Sequence, residues 1–247
     1  MARRTRLKNR RDDAATASVT AAYVKRDLPF FDPLNPDVVA GLETQVDWIL
    51  QEVGIAFRDD PKALEIWRKA GVKPEGDLIK APADWIRALC RKAPSEFTQR
   101  ARNPERSVRI GGAHQVFAPI YGAPFVRDLK QGRRYGDLDS FTKLVKLVQM
   151  LPSLHHSGLV IVEPCDVPVS KWHLDMVYAH MRYTDKPHLG AITEQSRAQD
   201  SVDMAEILHG KEVMDTQCVI LGNVNTNSPL LVDKVVGEAI RTYCGRG

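Results

Sequence analysis

Apolar residues recur at helical spacing three times in the first third of the chain. Between Asn35 and Gly54, the residues Val38, Val39, Leu42, Val46, Ile49, Leu50 and Val53 fall on one face, with Pro36 at the first helical position. A side-chain cap, a proline just inside and a glycine stop together predict a helix. Asp60, Pro61, Leu64, Trp67 and Gly71 repeat that grammar, and Trp85, Ile86 and Leu89 form a third short helix after Pro82. The tryptophans sit at helix-period positions and are expected in the core.

From Phe97 to Tyr135 the period shortens to that of strands. Residues 97–101 and 107–110 read as strands, broken by Asn103-Pro104 and Gly111-Gly112, and residues 124–129 lead into a hairpin turn at Lys130-Gln131-Gly132. A helix is expected over 138–151, with Phe141, Leu144, Val145, Val148 and Leu151 on one side. Beyond it the rhythm is regular. Apolar runs at 158–162, 188–193 and 218–222 alternate with helices capped at Ser170 and Ser196, and a last helix covers 231–243. Apolar strands alternating with capped helices imply right-handed βαβ units and a parallel sheet. The first of these strands ends in Glu163-Pro164-Cys165-Asp166 rather than a glycine-rich turn, which argues against a dinucleotide fold.

Composition narrows the classes without naming one. The chain has 247 residues, 43% of them hydrophobic and 27% charged, as in a globular protein. No run of eighteen apolar residues predicts a membrane span, and no apolar stretch follows the basic start as a secretory signal requires. The scattered Cys90, Cys165, Cys218 and Cys244 suggest neither a disulfide framework nor a zinc ribbon, so a cytoplasmic setting is expected. The net charge of +4 is misleading. Arg3, Arg4, Arg6, Lys8, Arg10 and Arg11 carry it, and the remainder holds 29 basic against 31 acidic residues. The high isoelectric point therefore describes a tail, expected to be a solvated terminus rather than a nucleic-acid-binding arm.

In a parallel α/β fold, ligands gather at the carboxyl ends of the strands. Here those ends carry Glu163, Glu194 and the cluster Asn223, Asn225, Asn227 with Ser228. Two carboxylates at similar height would balance a small cation, and the amides would orient polar groups. The bland alternative has the glutamates serving helix starts and the asparagines making turns. The segment 116–125 brings Phe117 and Tyr121, whose rings could face a quaternary ammonium or simply pack in a hairpin. His155-His156 precede a strand and read as packing or surface residues. His173 and His180 stand seven apart, unlike helical metal ligands, and no nucleophile elbow is present.

Several segments then carry a resemblance. Phe97-Thr98, Ala101-Arg102-Asn103-Pro104-Glu105-Arg106, Val108-Arg109-Ile110-Gly111-Gly112, Gly122-Ala123-Pro124-Phe125-Val126-Arg127-Asp128-Leu129, Asp166-Val167-Pro168, Thr184-Asp185-Lys186-Pro187 and Asn225-Thr226-Asn227-Ser228-Pro229-Leu230 resemble the trimethylamine methyltransferase superfamily. The matches run from about Asp32 to Leu230. The resemblance implies an α/β protein of the (β/α)8 TIM-barrel family. It also implies methyl transfer from a methylated amine or quaternary ammonium, such as trimethylamine or glycine betaine, to the cobalt of a corrinoid (cobalamin) carried by a partner protein. No motif in the chain binds that cofactor directly. Only three βα units follow residue 156, so the organisation expected is a tail (1–30), a helical and hairpin region (31–155) and a partial barrel (156–247). A truncated member, or an inactive relative that at most binds a partner, fits that organisation. Substrate contacts are assigned to Glu163, Glu194, Asn223, Asn225, Asn227 and Tyr121, with no metal ligand and a possible homo-oligomer.

Overall fold

The computed structural model describes residues 22–226 and 228–245. The basic segment therefore lies outside the described residues, as does Asn227. In chain order, β1 is Val24–Lys25 and α1 is Pro36–Trp48, prolonged by a π-helical turn over Ile49–Val53. Then come β2 (Ile55–Arg58), α2 (Pro61–Lys69), β3 (Leu78–Ile79), α3 (Trp85–Cys90), β4 (Glu96–Gln99), β5 (Val108–Gly111) and β6 (His114–Gln115). A hairpin of β7 (Phe125–Asp128) and β8 (Gly132–Tyr135) leads to α4 (Leu138–Met150), α5 (Trp172–Tyr183), β9 (Leu189–Gly190) and α6 (Gln195–His209). The chain continues through α7 (Lys211–Met214), β10 (Leu221–Gly222), β11 (Leu231–Asp233) and α8 (Lys234–Cys244).

Local chemistry accounts for most boundaries. The Asn35 side chain accepts the Val38 N–H at the start of α1, Asp60 caps α2 and Asp137 caps α4. Gly54 ends the first helix at φ 81°, where a Cβ would strike the Ile79 carbonyl. In the β7–β8 turn, Asp128 accepts the Lys130 and Gln131 N–H groups.

Four sheets result. β1, β6, β5 and β4 form an antiparallel sheet, and β7 pairs with β8. β3 and β11 flank β2, with β11 parallel to it. β9 and β10 run parallel, and extended chain widens this pair. The Leu189 N–H donates to Gly158 O (2.9 Å), the Gly122 N–H to Val160 O (2.7 Å) and the Glu163 N–H to Ala123 O (2.9 Å). Four staves, 120–123, 157–163, 187–190 and 218–222, thus stand side by side without closing a barrel among the described residues. The core lies behind them, where Phe141, Val145 and Val148 of α4 meet Leu159, Ile161, Val162, Met176 and Val177. A second cluster joins Val202, Ala205, Met214 and Val219.

Several expectations need correction. Residues 158–162 form no strand, bending at Leu159 and Ile161 and bridging only at Val162, and the strands expected over 188–193 and 218–222 shrink to two residues each plus a bridge at Cys218. The segment 116–125 supplies a stave rather than a hairpin of its own. The helix after the first stave begins at Trp172 with Lys171 at the cap, and the next begins at Gln195 with Glu194 at the cap, not Ser170 and Ser196. The last helix starts at 234 because the Asp233 side chain accepts the Val236 N–H. This frees Leu231 and Val232 to pair with Ala56 and Phe57. Trp67 and Trp85 are half-buried and lean on one another at 5.4 Å instead of filling a core. The apolar face of α1 is exposed, with Leu42 at 53% and Val46 at 47%.

Candidate functional site

The four staves share a direction, so their carboxyl ends share an edge. Glu163 follows Val162 there, half-buried, its backbone tied to Ala123 on the neighbouring stave. Tyr121 precedes Gly122 on that neighbour and is 49% exposed; partial burial raises its phenol pKa. The two residues therefore belong to adjacent, hydrogen-bonded segments, a carboxylate on one and an aromatic ring on the other.

The remaining candidates are less enclosed. Glu194 caps α6 by position, without a side-chain capping bond. Its carboxylate is 56% exposed and lies 3.5 Å from Arg197 Nε. Asn223 and Asn225 are exposed in the loop after β10. Phe117 is pinned at the amino end instead, its carbonyl accepting from the His155 and His156 N–H groups and its N–H donating to His155 Nδ1.

The polar hub at that amino end was not expected from the strand pattern. Gln99 is fully buried and donates from Nε2 to His188 O (2.9 Å), while its Oε1 accepts from His156 Nε2 (3.1 Å). His156 Nδ1 in turn accepts the Gly158 N–H. His180 donates from Nε2 to Leu159 O, accepts the Ser157 hydroxyl at Nδ1 (2.7 Å), and stacks on His188 at 5.6 Å. His156 and His180 thus each have one donating and one accepting ring nitrogen, the neutral form. Burial pushes His156 and His180 down to about 3 and lowers His188 as well. The signal was present in His155-His156-Ser157 and Pro187-His188, each at the amino end of a stave. Of the packing and surface roles open to His155-His156, both take packing, and His156, His180 and His188 hold the floor of the stave layer.

Lys186 is a second buried anchor. Its ammonium donates to the carbonyls of Val148, Leu151 and Leu154 at 2.6–2.8 Å, closing the C-terminus of α4. Burial lowers its pKa to about 8, which leaves it charged at neutral pH. Along the stave 218–222 lies a cavity of about 480 Å³, lined among others by Met214, Cys218, Ile220 and Tyr243. Among the described residues no group of three or more His, Cys, Asp or Glu could hold a metal ion, and no helix is long and apolar enough to cross a membrane.

Comparison with known proteins supplies the lineage. Residues 2–247 match the trimethylamine methyltransferase (MTTB) family. The chain is 37% identical over 221 residues to a glycine betaine methyltransferase of Desulfitobacterium hafniense (strain Y51), covering 89% of this chain and 46% of that one. It is 27% identical over 206 residues to a proline betaine:corrinoid methyltransferase of Eubacterium limosum, covering 76% of this chain and 41% of that one. The chain thus spans about half the length of the curated relatives it matches. With the family matched from end to end, the chain belongs to the trimethylamine methyltransferase (MTTB) family.

Proposed function

We propose that the chain serves methyl transfer from a methylated amine or quaternary ammonium, of the kind of trimethylamine or glycine betaine, to the cobalt of a corrinoid held by a partner protein. The observation that carries this reading is the family match over residues 2–247, joined by 37% identity to a glycine betaine methyltransferase. The geometry agrees with it. A quaternary ammonium leaves as a neutral tertiary amine and needs no general acid, so the protein has to hold a cation, exclude water and align it. Glu163 supplies countercharge from a half-buried position, Tyr121 an aromatic face from the adjacent stave, and Asn223, Asn225 and Glu194 a polar rim.

When bound, the partner's corrinoid supplies a strongly nucleophilic reduced cobalt that accepts the methyl group. The rim suits a corrinoid presented by another protein. Its polar residues are accessible, whereas His156 and His180 are bonded to Gln99 and Ser157 at the amino end. A cytoplasmic setting goes with this reading, since four free thiols favour a reducing compartment.

The competing reading is a catalytically silent relative that binds a ligand or partner without transferring the methyl. Purified chain mixed with glycine betaine or trimethylamine and cob(I)alamin decides between them. Methylcobalamin formation, followed by its absorption spectrum, is the expected result. Binding by calorimetry without methylcobalamin leaves the silent reading, and neither signal overturns the proposal.

A further inference from the structure

The β7–β8 hairpin stands on the edge where the candidate site lies. Its first strand follows directly from the stave 120–123, and the Gly136 N–H closes its base by donating to Pro124 O (3.0 Å). The Gly136 carbonyl then accepts the N–H of Cys165, two residues beyond Glu163 (3.0 Å). In the antiparallel register Phe125 faces Tyr135, Val126 faces Arg134 and Arg127 faces Arg133. Alternation gives this arm two faces. Val126 packs against the core and Arg134 donates to Ser140 of α4, so that face is bound to the body. The other face carries Phe125 and Tyr135, with ring centroids 4.6 Å apart, and the two arginines.

The fold overcharges this outer face. Like charges directly opposite on neighbouring strands repel and weaken a hairpin. Within residues 125–135 four basic side chains meet one acid, Asp128, which is spent on Arg134 and on the Lys130 and Gln131 N–H groups. The nearby acids are also engaged: Asp137 caps α4, Asp139 pairs with Lys143, and Asp166 accepts the Leu138 N–H. Arg127, Lys130 and Arg133 are therefore exposed with no carboxylate partner among the described residues. The Arg133 guanidinium lies 3.9 Å from the Phe125 ring centroid, which fixes it in place and leaves its edge N–H groups open.

We propose that this face docks an acidic patch on the protein that carries the corrinoid, with Arg127 and Arg133 gripping its carboxylates. The inference rests on the methyl-transfer reading above, which brings such a partner to this edge. A betaine's own carboxylate is not the anion. It lies two bonds from the nitrogen held at Glu163 and Tyr121, whereas Arg127 stands about 10 Å along its strand from Pro124. The anion that meets the arm therefore arrives on a larger body. Guanidinium forks match carboxylates, and arginines beside aromatic rings are the residues enriched in protein interfaces.

A fluorescein-labelled glutamate decapeptide, standing in for the acidic patch, tests the face by anisotropy at low salt. The intact chain should bind it, and Arg127→Glu and Arg133→Glu should each weaken binding about tenfold. Replacing Arg3, Arg4 and Arg6 by Ala should change it about twofold or less. Arg127→Glu exchanges repulsion for attraction opposite Arg133, so its thermal midpoint should hold or rise. No binding by the intact chain, an equal loss in the Arg3, Arg4 and Arg6 variant, or a falling midpoint in Arg127→Glu overturns the proposal. So does displacement by inorganic phosphate at constant ionic strength, which marks a small-anion site. Tighter binding of a thymidine decamer, lost in the same variants, marks a nucleic-acid surface and overturns it too. The readout is binding alone, so its failure leaves the methyl-transfer reading standing, and methylcobalamin formation from free cob(I)alamin tests that reading separately.

Discussion

Glu163 and Glu194 look equivalent in the sequence, each following a stave, yet their surroundings differ. Glu163 is half-buried beside Tyr121's stave, whereas Glu194 stands in water next to Arg197. A carboxylate acts more strongly on a cation where solvent is partly excluded. Glu163→Gln should therefore weaken binding of a trimethylammonium ligand about tenfold by calorimetry, with the thermal midpoint unchanged, while Glu194→Gln shifts affinity less than threefold. An exposed cation–π contact contributes about 0.5–1 kcal/mol, so Tyr121→Ala should cost roughly threefold to fivefold in affinity and Tyr121→Phe almost nothing. If the two glutamate variants behave alike, stave position rather than burial sets the cation site.

Among the elements, α4 and α8 show how single side chains hold helices in place. Replacing Lys186 by Met removes the ammonium from the Val148, Leu151 and Leu154 carbonyls, of which Val148 and Leu151 keep a backbone N–H, and chemical denaturation should register a loss of about 2 kcal/mol. Asp60, almost fully buried, both caps α2 and receives Arg241 of α8 through two bonds of 2.8 and 3.0 Å. Asp60→Ala and Arg241→Ala should therefore be strongly non-additive, with a coupling of about 2 kcal/mol in a double-mutant cycle. Elements like α2 and α4 were legible from local signals: the cap Asp60-Pro61 in α2 and the apolar period from Phe141 to Leu151 in α4. The staves were legible as apolar runs but not as ladders, since their partners come from distant segments. Ile120–Ala123 escaped notice because it becomes a stave only when Val160 accepts from Gly122. Local spacing likewise located the apolar face of α1 but said nothing of its direction, which Arg87 decides from forty residues away. At the candidate site, strand ends nominated Glu163 and Glu194 alike, and their difference comes from the neighbouring stave and Arg197.

For the whole molecule, the buried histidines set a dependence on acidity. His156 and His180 resist protonation until about pH 3 in the native chain, but in the unfolded chain they titrate near the ordinary 6.5. Protons thus bind the unfolded chain first. The stability contributed by neutrality is complete above about pH 6.5 and drains as pH falls toward 3, by about 1.4 kcal/mol per pH unit for each histidine. Urea midpoints at pH 7 and pH 5 should differ accordingly, and His156→Gln should reduce that difference. An equal midpoint at both values would contradict the neutral hub. The bond between Asp60 and Arg241 has a further consequence, one of timing. Its partners are 181 residues apart, and the pairing of β2 with β11 spans a similar distance. At about 5–20 residues per second, a ribosome needs roughly 10–35 seconds after making Asp60 to deliver its counterion. During that interval the acid waits without its guanidinium and β2 without its parallel neighbour, so the oldest part of the chain is among the last to reach its final form.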